Sequence, residues 1–375
     1  MVDLALKMLL HDKLKFFITV AGVAFAVTLV LVQVGLFLGL LDNATVTIEN
    51  THADIWVTSK ETPNIDFAHT FSDTFVQRVR SAPGVAKADN LIVNFLTISL
   101  PNGAQEGVII YALDNFRDWN LPWNVQDGEL NDLKRGRFLF LDDSAVRRYG
   151  PFHVNEYREI QQTRLKIIGR TAEARSFTTT PIAFMDFERA QALSAENLHG
   201  LTSYILVKVA PGADSRAVKA EIRKRLPYND VFLKDEWASR SRNYWIVSTG
   251  LGLNLFVTVF LGCMVGIVVV AQTLYSSTME HIKEFGTVKA IGGGNGDIYK
   301  LLAEQATISA SFGYVLGVVM AFAMQPLVRK IDLKLMIPDN FLIFVFFGSL
   351  LMCLGAALIS FRKVSGIDPA LVFRT

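Results

Sequence analysis

The sequence has little charge and almost no cysteine. Of its 375 residues, 19% are charged and 51% are hydrophobic, so part of the chain is expected to lie in an apolar solvent. The two cysteines, Cys263 and Cys353, both occur in apolar runs, which excludes a disulfide framework and a C-x-x-C motif. The formal net charge is only +2, and we therefore expect no nucleic-acid partner.

The motifs of common nucleotide and catalytic sites are also missing. No G-x-x-x-x-G-K-[ST] or G-x-S-x-G string occurs, and the six histidines lack metal-ligand spacing. The glycine-rich run 292–296 is interpreted as a turn, and the adjacent carboxylates Asp142 and Asp143 as a solvated turn. We therefore expect a non-catalytic chain that binds no metal and no cofactor directly.

Four long apolar runs predict four membrane-spanning helices. The first, residues 16–41, would form a helix of about 39 Å, enough to cross a hydrocarbon core of about 30 Å. It also exceeds the roughly 7–15 apolar residues of a signal peptide, which is the competing interpretation. The predicted spans are residues 16–41, 244–279, 301–328 and 341–361.

The interval between the first two spans, residues 42–243, has the composition of a soluble domain, with 25 Lys and Arg against 26 Asp and Glu. ADIWVTSK, LIVNFLTISL and TSYILVKV have strand patterns, and DTFVQRVRSA has a helical one. Asp214 or Ser215 is a candidate N-cap for a helix that stops before Pro227, whereas FRDWNLPWNVQDGEL and GRFLFLDDSAVRRYG are less regular. The predicted fold is an α-helical membrane protein with four transmembrane helices and a large α/β extracytoplasmic domain between helices 1 and 2. We expect two subdomains there, one porter-like and one an inserted lobe.

The distribution of Lys and Arg indicates the side of the membrane on which this domain lies. Most basic residues near the spans flank ends that are cytoplasmic if the domain is external. The prediction is a multi-pass protein of the bacterial inner membrane with an amphipathic cytoplasmic N-terminal helix (1–15). The predicted topology also includes a cytoplasmic segment (280–300), a short external loop (329–340) and a cytoplasmic tail (362–375). The supporting residues are Lys7, Lys13, Lys15, Lys283, Lys289, Lys300, Arg362, Lys363 and Arg374, and the opposing ones are Arg329, Lys330 and Lys334.

The segment after the second span, EHIKEFGTVKAIGGGNGD, is compact and polar within an apolar chain. Its middle has the pattern of an amphipathic helix, with Lys283, Glu284 and Lys289 on the solvent-facing side and Phe285 and other apolar residues on the opposite side. The glycines that follow indicate a helix stop and a sharp turn. A short helix between two spans suits docking into a soluble partner, and a plain connecting loop is the alternative.

Polar and small residues inside the spans are candidate helix contacts. Gln33 should hydrogen-bond across helices, and we expect a contact between the first spans of two protomers in preference to a substrate contact. Glu304 either forms an interfacial ion pair with Lys300 or holds the third span to the 280–300 segment. Gly35 and Gly39 allow close approach at a dimer seam or within the subunit. The same spacing recurs at positions 262 and 266 and at positions 313 and 317.

Three stretches of the sequence carry a family pattern. The string EFGTVKAIGGGNGDIYKLLAEQA and the terminal SFRKVSGIDPALVFR resemble the permease subunits of type VII ABC transporters, which include MacB, FtsX and the lipoprotein-release permeases. In that family, E-(I/F)-G-x-x-(K/R)-A-(I/L)-G follows the second span and a D-P-A-x-x-(L/F)-R-like motif ends the tail. The start, LLHDKLKFFITVAGVAFAVTLVLVQVGLFLGLLDNA, is similar to the DevC-like branch. The resemblance covers both chain ends and the three-span block.

The resemblance implies a set of partners. Such permeases pair as homodimers or heterodimers, here expected as a homodimer, and each protomer binds a cytoplasmic ABC ATPase that holds the ATP and Mg²⁺. Tripartite members also meet a periplasmic membrane-fusion adaptor and an outer-membrane channel. The resemblance makes the segment after the second span the coupling helix that docks on the ATPase. Its residues are Lys283, Glu284, Phe285, Gly286, Lys289, Ala290, Ile291 and Gly292.

Two functions follow as hypotheses. The first is an exporter permease that transmits ATP-driven motion to its external domain, a process called mechanotransmission, with a glycolipid or another amphiphile as cargo and haem or a hydrophobic toxin as the second choice. The other is an FtsX-like regulator that transports nothing and acts on an extracellular partner. The size of the external domain favours adaptor docking, and therefore the exporter.

Overall fold

The computed structural model describes residues 7–9, 11–193, 198–280, 294–331 and 333–364. The chain divides into two compact units. The membrane unit comprises Met1–Gly39 and Leu253–Thr375, and the external domain comprises Leu40–Gly252. The predicted domain limits of 42–243 are thus close to those of the external domain.

Helices and strands are labelled in chain order. The helices are α1 (Lys13–Asn43), α2 (Val46–Asn50), α3 (Phe75–Arg80), α4 (Phe116–Trp119), α5 (Ala145–Tyr149), α6 (Phe187–Leu193), α7 (Ser215–Arg225), α8 (Lys234–Asn243), α9 (Leu251–Glu280), α10 (Asn295–Lys330) and α11 (Asp339–Val364). A 3₁₀ helix covers Leu130–Arg135, and a π-helical turn covers Tyr244–Ser248. The strands are β1 (Ile55–Ser59), β2 (Phe71–Ser72), β3 (Val85–Ser99), β4 (Gln105–Leu113), β5 (Val125–Asp127), β6 (Phe138–Asp142), β7 (Tyr157–Ile160), β8 (Thr163–Thr171), β9 (Ile182–Asp186), β10 (Leu201–Thr202), β11 (Tyr204–Val209) and β12 (Asn229–Leu233).

Long apolar helices form the membrane unit. Within the described ranges, four helices are long and apolar enough to cross a membrane, namely α1, α9, α10 and α11. The apolar stretch of α1 is 44% buried, whereas that of α9 is 17% buried. α1 is therefore the central helix of this unit, and α9 exposes most of its apolar surface, as expected for a helix facing lipid.

Glycines let α9 and α10 approach α1 closely. A Cβ atom at Gly313 of α10 would lie 2.5 Å from the Cβ of Val23, and one at Gly266 of α9 would lie 3.0 Å from the Cβ of Ala26. Larger side chains at these positions would push the helices apart. The small residues at positions 262, 266, 313 and 317 thus pack within the subunit.

Gly35 and Gly39 contact the connection between α10 and α11 in the same chain. A Cβ atom at Gly39 would lie 1.9 Å from the carbonyl oxygen of Lys334. The backbone N–H of Met336 donates to the carbonyl of Gly35 over 3.0 Å. Because the chain itself occupies these faces, the two glycines are not available for the predicted dimer seam, and the intrasubunit alternative describes them.

A ten-stranded sheet organises the external domain. Its order is β12-β1-β11-β3-β4-β9-β6-β8-β5, and β7 pairs with both β3 and β8. The β4–β9 and β6–β8 pairs are parallel, and the other pairs are antiparallel. Because β7 joins β8 back to β3, strands β3, β4, β9, β6, β8 and β7 close into a ring. The inserted lobe is therefore a small closed barrel that shares β3 with the rest of the domain.

The alternation of side chains along the strands separates the hydrophobic cores. Trp56 and Tyr204 lie on one face of the sheet with Trp237 of α8. Ile55 and Val57 lie on the opposite face, beneath α3 and α7. A third core fills the ring and includes residues of β3, β4, β6, β8 and β9. This period-two pattern fixes the register, because a slip of one residue would move every apolar side chain to the wrong face.

Two sequence predictions for this domain were wrong in detail. The second span does not begin at residue 244, because the turn Tyr244–Ser248 belongs to the external domain and α9 begins at Leu251. An uncharged run cannot distinguish aromatic residues that pack in a domain from those that face lipid. Asp142 is not in a solvated turn, because it is fully buried at the end of β6.

Other predictions for this domain were confirmed. β1, β3, β11 and α3 lie where their patterns predicted them. Asp214 caps α7 by accepting the N–H of Arg216 over 3.0 Å, and that helix ends at Arg225, before Pro227. The lobe is more regular than predicted, since GRFLFLDDSAVRRYG contains β6 and α5.

Candidate functional site

One end of the membrane unit holds the boundaries of the predicted coupling segment. α1 and α10 begin at this end, and α9 and α11 end there; we call it the base. Lys15 of α1 forms ion pairs with Asp12, over 2.9 Å, and with Glu280, the last residue of α9. Because Glu280 directly precedes residue 281, this ion pair attaches the start of the segment to the central helix.

The far end of the segment is fixed by the start of α10. The carboxylate of Asp297 accepts the N–H of Gly294 over 2.9 Å, and the N–H of Asp297 donates to the carbonyl of Gly294 over 3.1 Å. These bonds satisfy donors that a helix start leaves free, and a carboxylate there also matches the helix dipole. Ile298, one residue later, is 3% exposed and belongs to the core of the membrane unit.

α11 completes the base. The ring of Phe361 packs edge to face on Tyr299 of α10, with 5.5 Å between the ring centroids. The Ser360 hydroxyl donates to the carbonyl of Ala271 in α9 over 2.9 Å. Helices α9 and α10, which flank the segment, thus both contact α11 at the base.

Glu304 and its neighbour Gln305 lie between two and three turns into α10. Oε2 of Glu304 is buried and has no hydrogen-bond partner among the residues that the structure describes. Lys300 is exposed, and no ion pair joins it to Glu304, so the predicted interfacial pair is absent between these two described residues. Gln305 is buried, and its Nε2 lies 3.9 Å from the sulfur of Met8.

The predicted coupling residues lie outside the described residues. They are Lys283, Glu284, Phe285, Gly286, Lys289, Ala290, Ile291 and Gly292. Their assignment stays a prediction, and the structure contributes the fixed positions on either side of them, Glu280 and Gly294.

Gln33 lies in α1 and is partly exposed. No hydrogen bond joins its side chain to any described residue. An amide in a membrane span without a partner among the described residues suits a contact with another molecule. The predicted contact with a second protomer therefore stays a prediction that this position allows.

The chain enters the external domain at α2 and leaves it after α8, and these two helices contact each other; we call this contact the joint. α2 follows α1, α8 precedes α9, and Arg242 of α8 pairs with Glu49 of α2. The ammonium of Lys234 donates to the carbonyl of Thr51 over 2.8 Å, which adds a second link between these elements. Tying the first and last elements of the domain together lets a displacement of either one act on both.

Aromatic rings extend this joint to the barrel lobe. Trp245, in the π-helical turn, stacks on Phe177, with centroids 3.9 Å apart and planes 11° from parallel. Phe67 packs against Trp245, with 5.8 Å between the centroids. Sequence reasoning missed this joint, because its members come from segments that are far apart in the chain.

Comparison with known proteins gives the family. A family model described as the MacB-like periplasmic core domain matches residues 16–225, and one described as the FtsX-like permease C-terminal matches residues 255–369. The first match alone covers more than half of the chain, and together the two include both units.

Curated relatives agree with these matches. An uncharacterised ABC transporter permease of Mycobacterium tuberculosis (strain H37Rv) is 24% identical over 357 residues, which are 94% of this chain and 93% of the relative. A second one of the same strain is 23% identical over 377 residues, covering 100% of this chain and 99% of the relative. The macrolide export ATP-binding/permease protein MacB of Agrobacterium fabrum is 25% identical over 243 residues, 62% of this chain. The chain spans only 37% of the length of that MacB.

Solved structures that are similar to part of this chain include the periplasmic region of MacB from Actinobacillus actinomycetemcomitans. It has 8% sequence identity and a TM-score of 0.40, and the match covers 50% of this chain and 92% of that one. The assignment rests on the family models. The chain therefore belongs to the MacB/FtsX superfamily of type VII ABC transporter permeases, with a MacB-like periplasmic domain between its first and second membrane helices.

Proposed function

We propose that this chain is the membrane permease subunit of an ABC-type exporter in the bacterial inner membrane. In this proposal a separate cytoplasmic ATPase binds ATP and Mg²⁺ and drives the motion. The permease relays that motion to its periplasmic domain, where a membrane-fusion adaptor and an outer-membrane channel receive the cargo. The relatives named as ABC transporter permeases support the ATPase partner.

The observation that carries the proposal is the anchoring of both ends of the 281–293 segment in the base. Lys15 holds Glu280 on one side, and the Gly294–Asp297 bonds start α10 on the other. Ends held in this way would pass a load on the segment to the helices that hold them. Docking of an ATPase on residues 283–292 would therefore displace α9 and α10.

An amphiphilic cargo is supported by the membrane unit itself. An apolar cavity of about 160 Å³ lies among α1, α9 and α11, lined by residues such as Val30, Val259 and Phe344. Such a lining suits an acyl chain or another apolar group and offers nothing to a charged solute. An apolar lining also suits haem or a hydrophobic toxin, so it is the resemblance to the DevC-like branch that leads us to propose a glycolipid or another amphiphile in preference to them.

A homodimer is part of the proposal, with Gln33 at the contact between first spans. A Gln33→Cys variant, in a chain with Cys263→Ser and Cys353→Ser, should form an interchain disulfide on oxidation in membranes. Phe344→Cys, at a position on α11 that is 73% exposed, serves as the control and should not. Equal cross-linking at both positions would show random collision and contradict the contact.

The FtsX-like regulator is the second candidate, since the FtsX-like C-terminal model matches residues 255–369. Both candidates share the ATPase and the mechanical relay. They differ in whether cargo crosses the envelope, so a transport assay with the purified partners separates them.

The coupling assignment is tested by Gly286→Trp. A bulky side chain at this position should uncouple the permease from its ATPase, lowering permease-stimulated ATP hydrolysis at least tenfold, the ratio set by about 1.4 kcal/mol of lost coupling. Gly296→Trp is the matched control, because a Cβ atom at Gly296 meets nothing within 4 Å. Unchanged stimulation in Gly286→Trp, or an equal loss in both variants, would refute the assignment.

A further inference from the structure

A buried carboxyl group lies inside the joint of the external domain. Asp66, in the loop between β1 and β2, is 3% exposed. The backbone N–H of Phe177 lies near its carboxyl and favours the ionised form, and its Oδ2 has no hydrogen-bond partner among the described residues. Leaving such an oxygen buried and unpaired is costly, and much more so when the group carries a charge.

The contacts of Asp66 link three parts of the joint. Phe177, whose backbone N–H lies near the Asp66 carboxyl, is the residue that stacks on Trp245. Phe67, the next residue after Asp66, packs on Trp245 from another direction. The loop that carries Asp66 is itself held by Tyr204, whose hydroxyl donates to the carbonyl of Ile65 over 2.9 Å. The carboxyl therefore lies where the 172–181 loop meets the turn that leads into α9.

Among the described residues, no ion pair joins a cation to the carboxyl of Asp66. The titratable groups that interact with Asp66 are the hydroxyls of Tyr111 on β4 and Tyr204 on β11. The charged groups on the adjoining helices have other partners: Arg242 pairs with Glu49, and Arg240 donates to the carbonyl of Thr62 over 3.0 Å. Neutral hydroxyls cannot balance an ionised carboxylate in a buried environment.

Burial raises the pKa of Asp66 to about 7, even though the nearby backbone N–H of Phe177 acts to lower it. When the loops open to water, the pKa returns toward its ordinary value of 3.8. The closed arrangement therefore binds a proton more tightly than the open one, and its stability falls as the pH rises from about 4 to about 7. Above pH 7 both arrangements are ionised, and the stability no longer changes with this group.

We propose that Asp66 is a pH switch in the joint. Protonated, it holds the 172–181 loop against the Trp245 turn; ionised, it favours release of that loop. The external domain thereby acquires a sensitivity to the acidity of its compartment at the point where the chain enters α9. This inference is independent of the cargo and of the ATPase, because it concerns the resting external domain alone.

Hydrogen–deuterium exchange of the full-length protein in detergent micelles tests this pH switch. After correction for intrinsic exchange, opening measured in peptides from 172–181 and 244–250 should increase about tenfold per pH unit between pH 5 and 6.5 and level off above pH 7. Peptides from α7, which packs on the opposite face of the sheet, should show no such slope. An equal increase of opening with pH in α7 would contradict a pH switch that acts only at the joint.

Two variants assign the slope to a residue. Asp66→Asn keeps the size and removes the ionisation, so its exchange in the same peptides should not vary with pH over this range. Asp186→Asn, a change at a carboxyl outside the joint at the end of β9, should keep the wild-type slope. A flat profile in the wild-type protein, or a slope retained in Asp66→Asn, would overturn the proposal.

Discussion

At the residue scale, the buried carboxylates of the external domain differ in what surrounds them. Asp142 has every partner it needs: it accepts the N–H groups of Ser144 and Ala174, both over 2.9 Å, and the hydroxyl of Thr171 over 3.0 Å. These bonds connect β6, β8 and the start of the 172–181 loop. Asp142 is therefore a structural element of the lobe, whereas Asp66 keeps an unpaired oxygen that can respond to pH.

Removal of the Asp142 carboxylate should destabilise the external domain. Asp142→Ala would leave the buried N–H of Ala174, the part-buried N–H of Ser144 and the hydroxyl of Thr171 without this partner, which should cost about 2–4 kcal/mol. Asp143→Ala is the matched control, because Asp143 is partly exposed and its pair with Arg170 should contribute less than about 1 kcal/mol. All five tryptophans of the chain lie in the external domain, so denaturant unfolding followed by tryptophan fluorescence measures this unit. Equal midpoints for the two variants would contradict the assignment.

The ion pair at the base should contribute to coupling more than to stability. Lys15 and Glu280 are 22% and 58% exposed, so breaking the pair should change the stability by less than about 1 kcal/mol. In the proposed mechanism Glu280→Lys should nevertheless lower permease-stimulated ATP hydrolysis, because it detaches the start of the 281–293 segment from α1. The double exchange Lys15→Glu with Glu280→Lys should restore it. Failure of the exchange to restore stimulation would show that the attraction between these two residues is not what matters.

At the element scale, close packing around α1 gives a test of the membrane unit. Gly39→Val should displace the 333–338 connection, because even a Cβ atom there would lie 1.9 Å from the Lys334 carbonyl oxygen. Gly348→Val on α11 is the control, since a Cβ atom at Gly348 meets nothing within 4 Å. In a Cys263→Ser background, the reaction of buried Cys353 with a fluorogenic thiol reagent on heating reports unfolding of this unit. Gly39→Val should lower the midpoint by several degrees, and equal midpoints would contradict the packing described.

The elements show what can be predicted from a sequence. The four spans followed from runs without charge, because the hydrocarbon core excludes charged side chains along a fixed length. β1, β11 and α7 followed from local periodicity and from the cap at Asp214. The beginning of α9 could not be predicted from the sequence, because Trp245 is apolar whether it packs on Phe177 or faces lipid. The closed ring could not be predicted either, since it depends on the pairing of β7 with β3.

At the scale of the whole molecule, the family and the general fold could be predicted, whereas the joint could not. The family pattern lies in contiguous strings, and the family models matched both units. The joint instead combines Glu49, Phe67, Phe177 and Arg242, which are far apart in sequence, and no local pattern brings them together. The coupling residues 283–292 remain a prediction of the resemblance, supported by the fixed positions of Glu280 and Gly294 beside them.

In the proposed mechanism a separate ATPase drives this permease through the segment after α9. The most direct measurement is affinity purification of the detergent-solubilised protein from its native membrane, in the wild-type and Gly286→Trp forms, with quantitative mass spectrometry of the associated proteins. We expect a P-loop ATPase in amounts comparable to the wild-type permease and its loss or strong depletion with Gly286→Trp. Absence of any P-loop ATPase from the wild-type complex would contradict this mechanism.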